Sequence, residues 1–582
     1  MRRTKIICTI GPASQSAETI REMIRAGMNV ARLNFSHGTY AEHRTRINTL
    51  RSVAAQLGHP LGILLDTKGP EIRIGSFSGG AIQLQEDNIF TLTTSPVEGD
   101  GRRVYVNYPE LHKEIKPGAT VLLDDGLLQL EVVTVVGDEI KCRVVHGGTL
   151  LSGKKVNLPD TRVSLPAFSE QDQQDLIFGI RQGIDYIAAS FIRNAAGVLA
   201  IKRFLEEEGA AIPVIAKIEN LEGVENIDSI LKVADGLMVA RGDLGVEIPA
   251  EDVPILQKQI IKKCNQAGKL VITATQMLES MVEKSRPTRA EASDVANAIF
   301  DGSDAIMLSA ETATGKYPVE AVKHMNNIAQ RAETALDYAE ILRRKGAVAQ
   351  TITDAVGYAT CTVAHNLHAA AILTATQSGY TSRVIAKYRP KAPIIAVTPQ
   401  EKVLRQLTMV WGVHPVLKEQ ASSTDEMFAS AITAGLDQGL IKNGDLVVIT
   451  AGHPVGVPGT TNLIKVHTVG DILLRGIGIG QGAATGRVCL AGTHKELQER
   501  FQPGDVIVAL ATDREYMPFV EQAAAVVTEE AGLTSHAAVV GLSLGIPVVV
   551  GAKGALKLLA AEVNVTVDSG RGLIYRGRAH VY

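Results

Sequence analysis

The 582-residue chain has little with which to hold a polyanion: 4% of its residues are aromatic and its formal net charge is −3. That excludes a base-stacking surface and any general pull toward nucleic acid or anionic lipid. Its five cysteines (Cys8, Cys142, Cys264, Cys361, Cys489) lie far apart, form no C-x-x-C pair and are odd in number. A disulfide framework and a structural zinc site are thereby excluded, and reduced thiols in a cytoplasm are expected. The start, MRRTKIICTIGPAS, carries only the five-residue, largely apolar stretch Ile6–Ile10 before Gly11 and Pro12, too short for a signal-peptide core. His536–Ala552 is uncharged but broken by Gly541, Gly545 and Pro547, so it reads as buried core and not as a membrane span. A P-loop is absent, since Gly315-Lys316 runs into Tyr317, and the glycine-rich run Arg475–Arg487 has G-x-G-x-G-x-G spacing and not the dinucleotide fingerprint.

What is present is a long α/β alternation, in a chain that at roughly 100–200 residues per domain holds several domains. Short β-rich runs at Lys5–Ile10, Asn29–Leu33, Leu61–Leu65, Tyr186–Ala189, Val214–Ile218, Gly236–Ala240, Leu270–Thr273 and Ala305–Leu308 alternate with amphipathic helical stretches. Eight such units predict a (β/α)₈ barrel over 1–69 and 169–345. Short alternating strands between them predict an inserted β-barrel lid over 70–168. Renewed alternation, with strands at Ala371–Thr374, Ile394–Val397, Val413–Val416 and Leu446–Ile449, predicts an α/β domain over 346–473. A further α/β module covers 474–582.

In such a barrel the chemistry belongs at the C-terminal strand ends, and polar residues gather there: Arg32, Asn34, Ser36 and His37; Asp66, Thr67 and Lys68; Lys217, Glu219 and Asn220; Arg241, Gly242 and Asp243; Thr273, Thr275 and Gln276; Ser309, Glu311 and Thr312. Lys217 and Glu219 lie two apart on one strand and point the same way. Glu219 and Asp243 end neighbouring strands, and two carboxylates without His or Cys favour Mg²⁺ or Mn²⁺ over zinc. A purely structural Lys217–Glu219 ion pair is the alternative. Arg32, Arg73 and Arg241 converging with Lys217 would make a cationic pocket for a phosphorylated substrate. Asn34, Ser36, Asp66 and Thr67 suit a monovalent cation as readily as a hydrogen-bond network.

The segments TKIICTIGPAS (4–14), MNVARLNFSHG (28–38), LDTKGPEIR (65–73), AKIEN (216–220), ARGDLGVE (240–247) and TATQMLESM (273–281) closely resemble the pyruvate kinase family over about residues 1–473. The resemblance implies a cytoplasmic homotetramer that passes the phosphoryl group of phosphoenolpyruvate to ADP, giving pyruvate and ATP. By it, Glu219 and Asp243 hold Mg²⁺, Asn34, Ser36, Asp66 and Thr67 hold K⁺, and Arg32, Arg73 and Lys217 hold the transferring group. Gly242 and Thr275 contact the substrate carboxylate, and Asn34, His37, Arg73 and Lys154 face the nucleotide. Protonation of the enolate is implied near Thr275, Ser309 and Glu311, and Glu71 implies K⁺ dependence. The run Gly153-Lys154-Lys155-Val156 lacks the family's usual glycine before the valine, leaving Lys155 as the other candidate for the nucleotide lysine.

Thr376, Ser378, Gly379, Thr381, Ser382 and Arg383 follow a strand and open a helix, a setting for a phosphate on backbone amides or for an ordinary helix cap. The match to the family's effector loop favours a phosphorylated activator. Residues from about 474 resemble the mobile phosphohistidine domain of phosphoenolpyruvate-utilising enzymes, with His536 at the phosphoryl-carrying position; the chain shows no fingerprint of the nucleotide-binding partner domain such a relay needs, which favours a retained structural or packing role over phosphoryl carriage by His536. Competing expectations are a phosphoenolpyruvate phosphotransferase or dikinase using His536, an Mg²⁺-dependent barrel aldolase acting on pyruvate, and a non-catalytic binding protein.

Overall fold

The computed structural model describes residues 2–159, 161–345, 351–452, 461–470, 472–480 and 482–579. They form two compact units, Met1–Asp337 with Glu401–Pro415 and Tyr338–Gln400 with Val416–Tyr582.

In the first unit eight strands close into a barrel: β1 (Lys5–Thr9), β2 (Val30–Asn34), β3 (Gly62–Asp66), β4 (Tyr186–Ala189), β5 (Val214–Ile218), β6 (Gly236–Ala240), β7 (Leu270–Ala274) and β8 (Ala305–Leu308). Each pairs in parallel with the next and β8 pairs with β1. Both faces of β1, β3, β5 and β6 are buried, which is why these segments read as largely apolar runs. Helix starts follow local chemistry: Thr39 with Glu42, Ser169 with Asp172 and Thr288 with Glu291 form reciprocal capping boxes.

The lid strands share one hydrophobic core, including Phe90, Leu92, Val104, Leu130 and Val144. They pair as a six-stranded sheet, whose edge strands Val156–Asn157 and Arg103–Tyr105 are each continued by an isolated bridge to the segment 73–74, beside a two-stranded ribbon, Ala81–Leu84 with Gly148–Leu151. The segment Ile72–Ile74 pairs through two of these bridges alone, Arg73 to Lys155 and Ile74 to Val106.

Residues 401–415, expected in the α/β domain, belong to the barrel unit. Arg405 Nε and Arg51 Nη2 each reach the buried Asp185 at 2.8 Å, and Tyr186 OH donates to the Gln406 carbonyl. Lys5 Nζ donates to the Val413 carbonyl at 2.6 Å. These ties fall at the N-terminal strand ends, the face of a barrel that serves stability.

In the second unit the strands run Ile394–Thr398, Ala371–Ala375, Leu446–Gly452 and Thr461–Thr468, the last antiparallel to its neighbour. A separate eight-stranded sheet forms the terminal module. Its first strand, Ile472–Arg475, pairs with Leu573–Arg576, so the expected boundary at 473/474 cuts a strand that belongs to the module. The reading of His536–Ala552 as buried core holds for Val548–Val550 but not for the helix His536–Leu544, which exposes Val539 and Leu542. No helix among the described residues is long and apolar enough to cross a membrane.

Candidate active site

The C-terminal strand ends of the barrel assemble one charged network. Arg32, pointing inward from β2, donates from Nε to Asp66 Oδ2 at 2.6 Å and from Nη1 to Thr9 Oγ1 at 2.9 Å. Lys217 Nζ lies 3.1 Å from Asp66 Oδ1 and 2.9 Å from Glu219 Oε1, and donates to Ser190 Oγ at 2.7 Å. Asp66, Lys217 and Glu219 are all buried. Burial alone would push the Lys217 ammonium down, but Asp66 and Glu219 outweigh it and hold it above the ordinary lysine range. Burial likewise would raise Asp66, yet Arg32 and Lys217 keep its carboxyl below the usual value. Glu219 goes the other way: burial raises it, Lys217 opposes, and the nearby Asp243 carboxylate raises it further.

Asp243 sits in the helix Arg241–Glu247 that follows β6. Its Oδ1 is 2.5 Å from Lys155 Nζ, a lid residue, and Lys155 overcomes burial to hold the Asp243 carboxyl low. Of the two lysines in sequence it is therefore Lys155 that reaches the barrel site. Alternation along the bridge to Arg73 turns Lys154 to the lid's Asp124, at 2.7 Å.

Glu219 and Asp243 fit a hard divalent cation. Their mutual repulsion calls for a positive charge between them, and Glu219 Oε1 is buried with its ion pair to Lys217 but no hydrogen bond. No group of three or more His, Cys, Asp and Glu side chains among the described residues could hold a metal. Two carboxylates suit Mg²⁺, which keeps several waters and substrate oxygens as ligands. For a monovalent cation, Asn34 and Asp66 are register partners on β2 and β3. Asn34 Oδ1 accepts from the Ser36 amide at 3.1 Å and Thr67 Oγ1 from the Ser190 amide at 3.1 Å, leaving oxygen lone pairs on each.

Three non-glycine residues at this face adopt left-handed backbone: Phe191 (φ 54°), Thr275 (φ 67°) and Gln276 (φ 54°). A β-branched residue there is strained, and such strain collects at functional sites. Thr275 is pinned by the Gly242 amide, which donates to its Oγ1 at 2.8 Å, and by Arg241, whose Nη2 donates to its carbonyl at 2.7 Å. Arg241 also pairs with Asp294 at 2.7 Å and so braces the loop instead of joining Arg32 and Lys217 in a cationic pocket. Arg73 pairs with Glu71 at 2.7 Å and donates to the Gly153 carbonyl at 2.9 Å, apart from the Lys217 network. His37 is exposed at the rim. At β8, the buried Glu311 accepts from the Ser309 and Leu278 amides at 2.7 and 3.1 Å, and burial pushes its carboxyl up.

Sequence reasoning missed Ser190 and Phe191. Ser190 Oγ links Lys217 to the Thr67 carbonyl at 2.7 Å, and the Phe191 amide donates to Glu219 Oε2 at 2.6 Å. Both lie just past β4, where Ser190-Phe191-Ile192 carries one small hydroxyl and no charge and so leaves little signal in the sequence.

In the second unit, Gly379 (φ 76°) leads into the helix Tyr380–Lys387. Thr381 Oγ1 meets Thr461 Oγ1 at 2.6 Å, and the buried Ser382 Oγ meets Thr374 Oγ1 at 2.7 Å. Arg383 Nη2 donates to the Ser378 carbonyl at 2.9 Å, and Thr376 is buried. Residues 453–460 lie outside those described. His536 Nδ1 is 3.0 Å from Thr512 Oγ1, and the ring is half-buried at the start of its helix.

The comparisons with known proteins cover the same ground. Residues 1–322 match the family described as "Pyruvate kinase, barrel domain", 354–467 "Pyruvate kinase, alpha/beta domain", and 501–572 "PEP-utilising enzyme, mobile domain". Curated proteins named pyruvate kinase from Geobacillus stearothermophilus and Bacillus licheniformis are 55% and 54% identical, each over 100% of both chains. A crystal structure of a pyruvate kinase from Cryptosporidium parvum aligns with a TM-score of 0.77 at 40% identity, covering 80% of this chain and 96% of that one. With the barrel, its buried Arg32–Asp66–Lys217–Glu219 network and matches along the full length in agreement, the chain belongs to the pyruvate kinase family.

Proposed function

We infer that this chain transfers the phosphoryl group of phosphoenolpyruvate to ADP. The bond from phosphorus to the enol oxygen breaks, a bond to the ADP β-phosphate oxygen forms, and the enolate takes a proton at carbon to give pyruvate and ATP. The observation that carries this reading is Lys217: its ammonium is buried, held between Asp66 and Glu219, and directed to the face where Arg32 also ends. Phosphoryl transfer passes through a loose transition state whose charge is met by fixed cations and not by covalent chemistry. Arg32, fixed by Asp66 and Thr9, cannot swing away, so its guanidinium is oriented before substrate arrives.

Glu219 and Asp243 would hold Mg²⁺ or Mn²⁺, which when bound neutralises phosphoryl oxygens and the developing enolate. Asn34, Ser36, Asp66 and Thr67 would hold K⁺. Gly242 and Thr275 position the substrate carboxylate end, and Ser309 and Glu311 border the route by which the enolate is protonated. Arg73, His37 and a lid lysine would face the nucleotide, and the lid excludes water that would otherwise hydrolyse the phosphoryl group. A phosphorylated activator at 376–383 would rely on backbone amides and Ser378, since Thr381 and Ser382 already share their hydroxyls with Thr461 and Thr374. A homotetramer in the cytoplasm fits the same reading. Relatives of the same full length named pyruvate kinase favour ADP as acceptor over a dikinase working through His536.

The test is ADP-dependent pyruvate formation from phosphoenolpyruvate with Mg²⁺, with and without K⁺, in the full chain and in Glu219→Gln. K⁺-stimulated activity that collapses in the variant is expected. Pyruvate release independent of ADP, or an unaffected variant, would overturn the reading.

A further inference from the structure

Asn34, Phe35, Ser36 and His37 make a tight turn at the end of β2. The His37 amide donates to the Asn34 carbonyl at 3.4 Å, and the Ser36 amide to Asn34 Oδ1 at 3.1 Å. One long bond and one local bond are little to fix a rim turn whose last residue, His37, is exposed. The firmer hold comes from His43, six residues on, in the first turn of the helix Tyr40–Leu57. Its ring is 1% exposed and lies flat on Phe35, with centroids 4.1 Å and planes 5° apart, while its Nε2 meets the His37 carbonyl at 3.0 Å. One side chain thus grips the turn at its second and fourth residues.

The clamp is itself braced. Phe35 also packs on Phe178 at 6.0 Å, and Tyr40 stacks on the same ring at 4.7 Å with its hydroxyl fixed to Asp175 at 2.7 Å. Gly38 (φ 89°) leaves room for the imidazole, since a Cβ there would stand 3.3 Å from Glu42 Oε2 and 3.4 Å from His43 Nε2. A carbonyl oxygen only accepts, so Nε2 carries the proton. Nδ1 is buried with no hydrogen-bond partner among the described residues, and burial, with Arg46 nearby, favours the neutral ring. The imidazole is spent on one hydrogen bond and one stack.

We propose that His43 is a positioning residue for the monovalent cation: by clamping Phe35 and the His37 carbonyl it holds Asn34 and Ser36 in place before the ion arrives. A monovalent ion gains little from any single oxygen, so its affinity depends on how little ordering the protein must do as it binds. A turn released from His43 would do that ordering at the moment of binding and hold the ion more weakly. The proposal rests on the reading that Asn34 and Ser36 are K⁺ ligands.

The test is binding of Tl⁺, a K⁺ mimic read by thallium nuclear magnetic resonance, to the full chain and to His43→Phe, His43→Gln and Ser36→Ala. K⁺ activation kinetics and hydrogen exchange at residues 35–38 accompany it. His43→Phe keeps the stack and loses the donor. Tl⁺ should bind it about three- to tenfold more weakly, the size of one buried hydrogen bond, and the K⁺ concentration for half-maximal activity should rise by the same factor. Its KM for phosphoenolpyruvate at saturating K⁺ should stay within about twofold, a split that general loosening of the barrel would not give. His43→Gln, able to donate to the same carbonyl, should recover most of the affinity. In the unsubstituted chain the Ser36 and His37 amides should be protected from exchange before K⁺ is added. If Ser36→Ala binds Tl⁺ as tightly as the unsubstituted chain, the cation assignment fails. If Ser36→Ala weakens Tl⁺ but His43→Phe does not, or His43→Gln is no better than His43→Phe, the positioning role alone is wrong. Protection of Ser36 and His37 that appears only with K⁺ would also overturn it.

Discussion

The Gly242 amide donates to Thr275 Oγ1 across 2.8 Å, tying the end of β7 to the helix that carries Asp243. Thr275 holds this position only by accepting a left-handed backbone, φ 67°. Thr275→Val keeps the branch but removes the acceptor, leaving the Gly242 amide unpaired. Its kcat/KM for phosphoenolpyruvate should fall by about ten- to a hundredfold, the cost of one orphaned donor. A variant with unchanged kcat/KM would show that the hydroxyl does no more than fill space.

Lys217 balances two buried acids, so its removal is expected to cost both chemistry and stability. Lys217→Met should lower kcat by about a thousandfold, as for loss of a fixed transition-state donor. It should also destabilise the barrel by about 3 kcal/mol, because Glu219 is left buried and unpaired. Lys217→Arg separates the two effects: charge is restored and with it stability, but the planar guanidinium does not reproduce the compact ammonium. Steady-state kinetics beside chemical unfolding of both variants decide it. Full activity in Lys217→Arg would place the requirement on charge alone.

The barrel was legible because its strands, β2 at Arg32 and Asn34 apart, are buried on both faces and so print as largely apolar runs, and because its reactive residues follow a positional rule. Arg32, Asp66, Lys217 and Glu219 came together where the rule put them. What sequence could not give was partner choice. Arg241 at a strand end looks like a ligand-facing cation, yet it braces Thr275 and Asp294. Lys154 and Lys155 differ only in which side of an isolated bridge each occupies. The segment 401–415 packs on the barrel through Asp185 and Lys5, residues hundreds of positions away. Pairings of that range leave no periodic trace.

Lys5 gives the protein a pH signature. It is buried with the Val413 carbonyl as its hydrogen-bond acceptor, and burial, reinforced by Arg2 and only partly offset by Glu333, pushes its pKa down to about 7. Unfolded, the same lysine titrates at 10.5. Between these values the unfolded chain binds the proton and the folded one does not, so this group's contribution to stability rises with pH. Below pH 7 both states are charged and the burial penalty is constant. Lys5→Met should lose that rise: unfolding curves at pH 7, 8 and 9 should show its advantage over wild type shrinking as pH increases. Parallel curves would mean that Lys5 keeps an ordinary pKa.

The terminal module has its own cores on the two faces of its sheet, one around Val506, Val508 and Val549, the other around Ile507, Val526 and Val548. Because Ile472–Arg475 is a strand of that sheet, the position of a cut matters. A chain ending at Gly470 removes the module whole and should keep activity within about twofold, as expected of a separable domain. A chain ending at Leu473 leaves Ile472 and Leu473 as an apolar stub and should aggregate more readily. Size-exclusion profiles and specific activities of the two truncations test this. Activity lost in both would make the module part of the catalytic entity.

His536 begins the helix His536–Leu544 of that module. Its Nδ1 is engaged with Thr512 Oγ1 at 3.0 Å, it opens a nine-residue helix, and the chain carries no P-loop to serve as a nucleotide-binding partner for a phosphoryl relay. ADP in the barrel needs no carrier, since donor and acceptor phosphates meet directly in one site. His536→Ala should therefore retain ADP-dependent pyruvate formation within about twofold, since one half-exposed side chain outside the reacting site contributes little to the barrier. Labelled phosphoenolpyruvate should leave no acid-labile label on the native protein. Label on His536 with activity intact would reveal a side reaction of the module, whereas label together with lost activity in His536→Ala would move the phosphoryl group's path from the barrel to the module.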